Sequence, residues 1–158
     1  MSFYAFKGFN HDLSCRDFQY EIGKTYVFDG PPIKCVQGFH YCTSLSAVFI
    51  YYPRYTYITD AYEQHPAWYY QYSKANLHNK PVQRILTSNR YCVVEVLGDV
   101  DDNSSTPLYE EAKGATNKIR IVKELNQDEI DDILDSSGSF GLYRINQCQY
   151  LLNFKEEE

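Results

Sequence analysis

Residues 90–100 read Arg90-Tyr91-Cys92-Val93-Val94-Glu95-Val96-Leu97-Gly98-Asp99-Val100, and this stretch decides the fold. Cys92, Val94, Val96 and the β-branched residues around them predict a central strand buried on both faces, with Gly98-Asp99 beginning its exit. Upstream, Phe3–Phe9 places aromatic residues at 3, 4, 6 and 9 and predicts a second buried strand, which runs into a polar turn at Asn10–Ser14. Phe18–Glu21 and Lys24–Phe28 are shorter strands around Gly23, halted by the breaker cluster Asp29-Gly30-Pro31-Pro32. Gly38–Cys42 is another short strand. Thr43 or Ser44 then caps a helix whose packing face is Ala47, Val48, Ile50, Tyr51 and Tyr52, and Pro53 closes it.

Downstream, Asp101–Thr106 is a polar loop, Pro107–Lys113 predicts one or two helical turns ended by Gly114, and Lys118–Val122 alternates as a half-exposed strand near a sheet edge. Asn126 caps a helix over Gln127–Leu134, with Glu129 completing a capping box and Ile130, Ile133 and Leu134 facing inward. Phe140–Ile145 and Gln149–Phe154 predict a closing β-hairpin. The expected fold class is α+β: a single domain over residues 1–154, mostly antiparallel sheet with a few short helices, followed by a loose acidic tail at 155–158.

With 158 residues, 44% apolar residues, 16 Tyr and 9 Phe, the chain has material for one buried core, which excludes a disordered polypeptide. No apolar run is long enough for a membrane helix, and no basic-then-apolar leader is read at the N-terminus, so the expected location is the cytoplasm of a host cell. Residues 1–98 carry a net +2 and residues 99–158 a net −8. Lys74, Lys80, Arg84 and Arg90 are scattered rather than clustered. Direct nucleic-acid binding is therefore disfavoured, and the basic surface of a host protein is the expected partner.

Cysteines at 15, 35, 42, 92 and 148 make an odd count, which predicts reduced thiols. Cys35, His40 and Cys42, with Cys15, would be a zinc site only if they converged. Paired CxxC knuckles are absent, so packed thiols are expected and no metal is called for. A thiol nucleophile would need Cys15 or Cys42 beside His11 or His40. No phosphate loop, dinucleotide fingerprint, nucleophile elbow or HExxH helix occurs, so no catalytic residue and no cofactor is assigned.

Two surfaces stand out for binding. Between residues 51 and 72 lie eight tyrosines and Trp68. Trp68, Tyr69 and Tyr72 recur at helical spacing after Pro66, with Thr59 or Asp60 as a cap, and Tyr55, Tyr62, Trp68 and Tyr72 are the expected contact residues. On the helix at 127–134, Asp128, Asp131, Asp132 and Asp135 share the outward face, and Asp131, Asp132 and Asp135 are expected to attract a basic partner.

The strings KGFNHDLSCRDFQYEIGKTY at 7–26, CVQGFHYC at 35–42, YYP at 51–53 and NKIRIVKEL at 117–125 resemble an uncharacterised domain that recurs in bacteriophage and bacterial genomes. The resemblance implies no activity; the absence of site chemistry, the acidic C-terminal third and the excess of aromatic residues lead to the expectation of a non-catalytic viral or prophage accessory protein that acts by protein–protein interaction and binds and inhibits a host defence protein. A second resemblance is to ADP-ribosyltransferase folds. It would set Lys7-Gly8, Cys42-Thr43-Ser44 and Gln147-Cys148-Gln149 around NAD, and implies an NAD-using enzyme as the alternative. The Arg and the acidic residue those enzymes use are missing from these positions.

Overall fold

The computed structural model describes residues 2–59, 64–66, 81–102, 113–134 and 149–156. Strand β1 (Phe3–Phe9) lies at the middle of a seven-stranded sheet. One edge of β1 pairs antiparallel with β9 (Arg90–Val96) in an unbroken register from Phe3↔Val96 to Phe9↔Arg90. Beyond β9 come β12 (Lys118–Glu124) and the edge strand β4 (Thr25–Val27), both antiparallel. The other edge of β1 meets β5 (Phe39–Cys42), followed by β11 (Lys113–Thr116) and β10 (Val100–Asp101). Ser14–Cys15 (β2) and Phe18–Gln19 (β3) form a small separate hairpin.

The alternation of side chains puts a core on each face of the sheet. Ala5, Phe9, Cys92, Val94, Val96, Ile119 and Ile121 pack on one side with Tyr20 and Phe39. Phe6, Tyr91 and Val93 pack on the other against the helices. The two-sided burial expected of Arg90–Val96 is present, because Tyr91 to Val94 and Val96 are all buried. The fold is thus a single α+β domain with a mostly antiparallel sheet, as the alternation predicts.

Helix α1 (Leu45–Tyr51) starts at Ser44, whose side chain accepts a hydrogen bond from the Ala47 amide. It buries Leu45, Ala47 and Val48; Ile50 and Tyr51, expected on the packing face, are exposed, and Tyr51 lies against the Lys113 ammonium instead of in the core. Helix α2 (Gln127–Leu134) opens with the predicted capping box: the Glu129 amide donates to Asn126 Oδ1 at 2.8 Å, and the Asn126 amide donates to Glu129 Oε1 at 3.1 Å. Ile130 and Ile133 are buried and Leu134 half-buried. Each fully buried aliphatic side chain contributes roughly 1.5–3 kcal/mol.

Four expectations are corrected. Residues 149–153 are helical, not the second strand of a hairpin, and Tyr150, Leu151 and Phe154 use that turn to reach the α2 side of the core. Lys113 and Gly114 belong to strand β11; Gly114 is needed there because the Tyr41 ring lies over it, leaving no room for a Cβ. Pro66 ends strand β7 (Gln64–Pro66) rather than starting a helix. That strand joins β6 (Tyr55–Thr59) and β8 (Pro81–Leu86) in a three-stranded sheet, order β7-β6-β8, where both prolines sit on edge strands that can spare an N–H. The tail is tied down as far as Glu156, which accepts from Tyr4 at 2.8 Å and pairs with Arg120. The helix expected through Trp68, Tyr69 and Tyr72, most of the turns at 107–112 and the strand at 140–145 fall outside the described residues. Among the described residues no helix is long and apolar enough to cross a membrane.

Candidate functional site: a cationic cleft beside the central strand

Strand β1 touches β5 at a single register pair, Phe6↔Cys42. Past it the two strands part. His40 still pairs with Ala115 on its far side, but its carbonyl accepts on the β1 side from the Lys7 ammonium at 2.6 Å. A side chain thus takes a place in what would otherwise be a backbone ladder. The gap opens into a cleft of about 310 Å³, floored by Phe6, Lys7, Cys15 and Cys42, with Arg16, Cys35 and Tyr51 at an exposed rim.

In the sequence Lys7 enters only as half of the Lys7-Gly8 pair that the ADP-ribosyltransferase resemblance sets around NAD; the usable signal was a lone lysine amid aromatic residues on a strand buried on both sides. Lys7 is 4% exposed and its ammonium lies 5.3 Å from the Tyr20 ring centre and 5.8 Å from that of Phe9. Burial lowers its pKa, opposed by Cys15 and Cys42 and assisted by Arg16. Gly8 lets α1 sit directly on β1: a Cβ there would lie 2.7 Å from Val48 Cγ1 and 2.9 Å from Tyr52.

Arg16 and Asp17 are the two central residues of the β2–β3 hairpin, with φ of 51° and 66°. A two-residue hairpin turn with positive φ at both positions is the type I′ geometry that Asn-Gly usually fills. An arginine held there costs of order 1–2 kcal/mol, and it aims a guanidinium at the cleft rim. Cys35 is also left-handed, φ 67°. Its amide donates to His40 Nε2 at 2.7 Å, and its carbonyl accepts from Arg16 Nη2 at 3.4 Å. Two strained residues thus converge on one buried histidine, a pattern found where geometry serves a site.

Burial, then the charges of Lys7, Lys113 and Arg16, push the His40 pKa down to about 3, so the ring is neutral. Cys42 is pushed up to about 12 by burial and stays a thiol. Tyr52 donates its hydroxyl hydrogen to Cys15 Sγ at 3.1 Å. Lys113 lines the same cleft with its ammonium 4.1 Å from the Tyr51 ring centre. The wall therefore holds three cationic side chains, and no carboxylate lines it among the described residues.

Cys35 is exposed while Cys15, Cys42 and Cys92 are buried. Among the described residues no three His, Cys, Asp or Glu side chains are grouped to hold a metal ion; His40 Nε2 is already engaged by the Cys35 amide.

Of the expected contact residues, Tyr62, Trp68, Tyr72 and Asp135 lie outside the described residues. Tyr55 is half-buried between two guanidinium groups, with Arg84 at 4.4 Å and Arg54 at 5.1 Å from the ring centre. Asp131 pairs with the same Arg54 at 2.9 Å, and Arg54 also donates to Gln127 Oε1 at 2.9 Å. Tyr55 and Asp131 are thus joined through Arg54 into one connection between β6 and α2. Asp128 and Asp132 are exposed.

Residues 3–64 match a family described as a domain of unknown function (DUF7666). That span carries Lys7, Arg16, Cys35 and His40 but not Lys113. Neither the curated proteins nor the solved structures contain a match to the chain.

Proposed function

We propose that the chain is a ligand-binding module that takes a small anionic molecule into the cleft between β1, β5 and α1. The observation that carries this reading is the wall itself: Lys7, Arg16 and Lys113 line one cleft with no acidic side chain opposite them among the described residues. A buried cation is costly unless something of opposite charge meets it. A volume of about 310 Å³ suits a small molecule.

Thermal melting of the whole chain at constant ionic strength tests this. Phosphate, acetate and NAD are compared with uncharged analogues, and an anion that fits raises the midpoint by mass action. The rise should vanish in Lys7→Met. If no anion stabilises the chain more than its neutral analogue does, the reading fails. NAD belongs in the set because Lys7 and Cys42 do line one cleft; Gln149 instead borders a separate depression with Lys123 and Tyr150.

A second proposal concerns α2. Asp128 and Asp132 face solvent, which suits contact with a basic surface of a host protein by an accessory factor of viral or prophage origin. Replacing both with Asn should slow association with such a partner and flatten its salt dependence; an unchanged rate at low and high salt would refute it.

A further inference from the structure

Resting on the reading of the cleft as an anion site, we propose that its ligand is a phosphate monoester with a small apolar or aromatic organic group. The first support is a pair of donors set face to face. The Cys35 amide donates to His40 Nε2 at 2.7 Å, which makes Nε2 the acceptor and leaves the ring proton on Nδ1. Nδ1 lies 3.3 Å from Arg16 Nη1, itself a donor only. Two N–H groups cannot bond each other; an acceptor oxygen arriving from the cleft satisfies both.

The second support is the charge of the wall. Lys7, Arg16 and Lys113 are cationic and His40 is neutral. A carboxylate brings a single charge and leaves most of that excess uncompensated. A phosphate monoester brings about −1.5 to −2 and three terminal oxygens. Those oxygens have donors to meet on separate elements: Lys7 on β1, Arg16 on the β2–β3 turn, His40 on β5 and Lys113 on β11.

The third support is space. The cleft exceeds what inorganic phosphate fills, and the rest of its wall includes the apolar and aromatic side chains of Phe6, Val48, Tyr51 and Tyr52. Those side chains suit an apolar or flat organic group.

Isothermal titration of the whole chain with phenyl phosphate, inorganic phosphate and benzoate separates these contributions. Phenyl phosphate should bind at least about tenfold more tightly than either of the others, the scale of a few charge-assisted hydrogen bonds or of a buried ring. Arg16→Gly, which suits the positive φ and so should leave the melting midpoint no lower, should weaken phenyl phosphate by about tenfold.

Lowering the pH from about 7.5 to 5 should weaken phenyl phosphate as its second charge is lost near pH 6. Benzoate should hold or gain affinity over that range, because a fall in pH favours the charged form of Lys7, whose pKa burial lowers. The titratable groups facing the anion are Lys7 from β1, Cys15 and Arg16 from the hairpin, Cys35 from the loop, His40, Tyr41 and Cys42 from β5, Tyr51 from α1 and Tyr52 at its C-cap, and Lys113 from β11. His40, neutral down to about pH 3, and Cys42, a thiol up to about pH 12, keep their charge state throughout.

Benzoate binding as tightly as phenyl phosphate would overturn the phosphate inference while leaving the anion cleft standing. Inorganic phosphate matching phenyl phosphate would remove the organic group. No binding of any of the three would overturn both this inference and the reading beneath it.

Discussion

The two edges of β1 solve the same chain's hydrogen bonding in opposite ways. Toward β9 the register runs unbroken from Phe3↔Val96 to Phe9↔Arg90, and it carries the buried apolar side chains of Ala5, Phe6, Phe9, Tyr91, Cys92, Val93, Val94 and Val96. Toward β5 there is one pair, after which a lysine bonds a carbonyl, and the neighbouring loops hold non-glycine residues at positive φ. The sealed edge is what β-propensity and burial favour. The open edge spends stability on a buried cation and a strained turn, and a place where local rules are broken together is where a site is expected. Perturbing each edge in turn tests whether they differ in kind.

The largest loss should come from the sealed edge. Phe9→Ala removes a fully buried ring that packs edge-on to Tyr20 at 5.4 Å and should cost about 3–5 kcal/mol in denaturant melts. A cost below about 1 kcal/mol would mean that this edge is not the stable half. Gly8→Ala comes next, since a methyl would overlap Val48 Cγ1 and Tyr52, and α1 must shift at a cost of about 1–3 kcal/mol. Wild-type stability in that variant would show that α1 is free to lift from β1.

His40→Gln sharpens the comparison through pH. The ring titrates near 6.5 in the unfolded chain and at about 3 in the folded one, so between those values the unfolded state binds more protons. Stability from this group is fully present above about pH 6.5 and is lost as pH falls toward 3. The Gln variant should therefore show a flatter fall in stability over that window, and an unchanged slope would show that other groups govern it. Lys7→Met should have the smallest effect on stability, under about 1 kcal/mol in either direction, because removing a buried charge offsets the lost bond to His40. A loss of several kcal/mol would mean that the ammonium holds the open edge together and is structural.

The sealed half was legible in the sequence because it follows alternation. Arg90–Val96, Phe3–Phe9 and Gln127–Leu134 with its Asn126 and Glu129 box all announce themselves within one window. The open half was not, because Lys7, Arg16, His40 and Lys113 come from four separate segments and meet only through tertiary pairing. Little local marks Arg16-Asp17 as a left-handed turn: Asp17 tolerates that conformation, but Arg16 stands where Asn or Gly would signal it. Tyr55 and Asp131 look like free surface residues in the sequence; the intervening Arg54, 7% exposed at its side chain, could not be seen to join them. Gln149–Phe154 alternates well enough to pass for a strand, and only the α2 side of the core, which takes Leu151 and Phe154, selects the helical turn.

The outermost strands of the large sheet are Val100–Asp101 at one side and Thr25–Val27 at the other, two and three residues long. A rim that brief offers a neighbouring molecule few backbone groups to zip onto, and Val27, although 71% exposed, stands on a segment too short to template a growing stack. The large sheet is thus blunted against strand addition at both rims, and lengthening either rim strand should raise its tendency to add a strand from a neighbouring molecule.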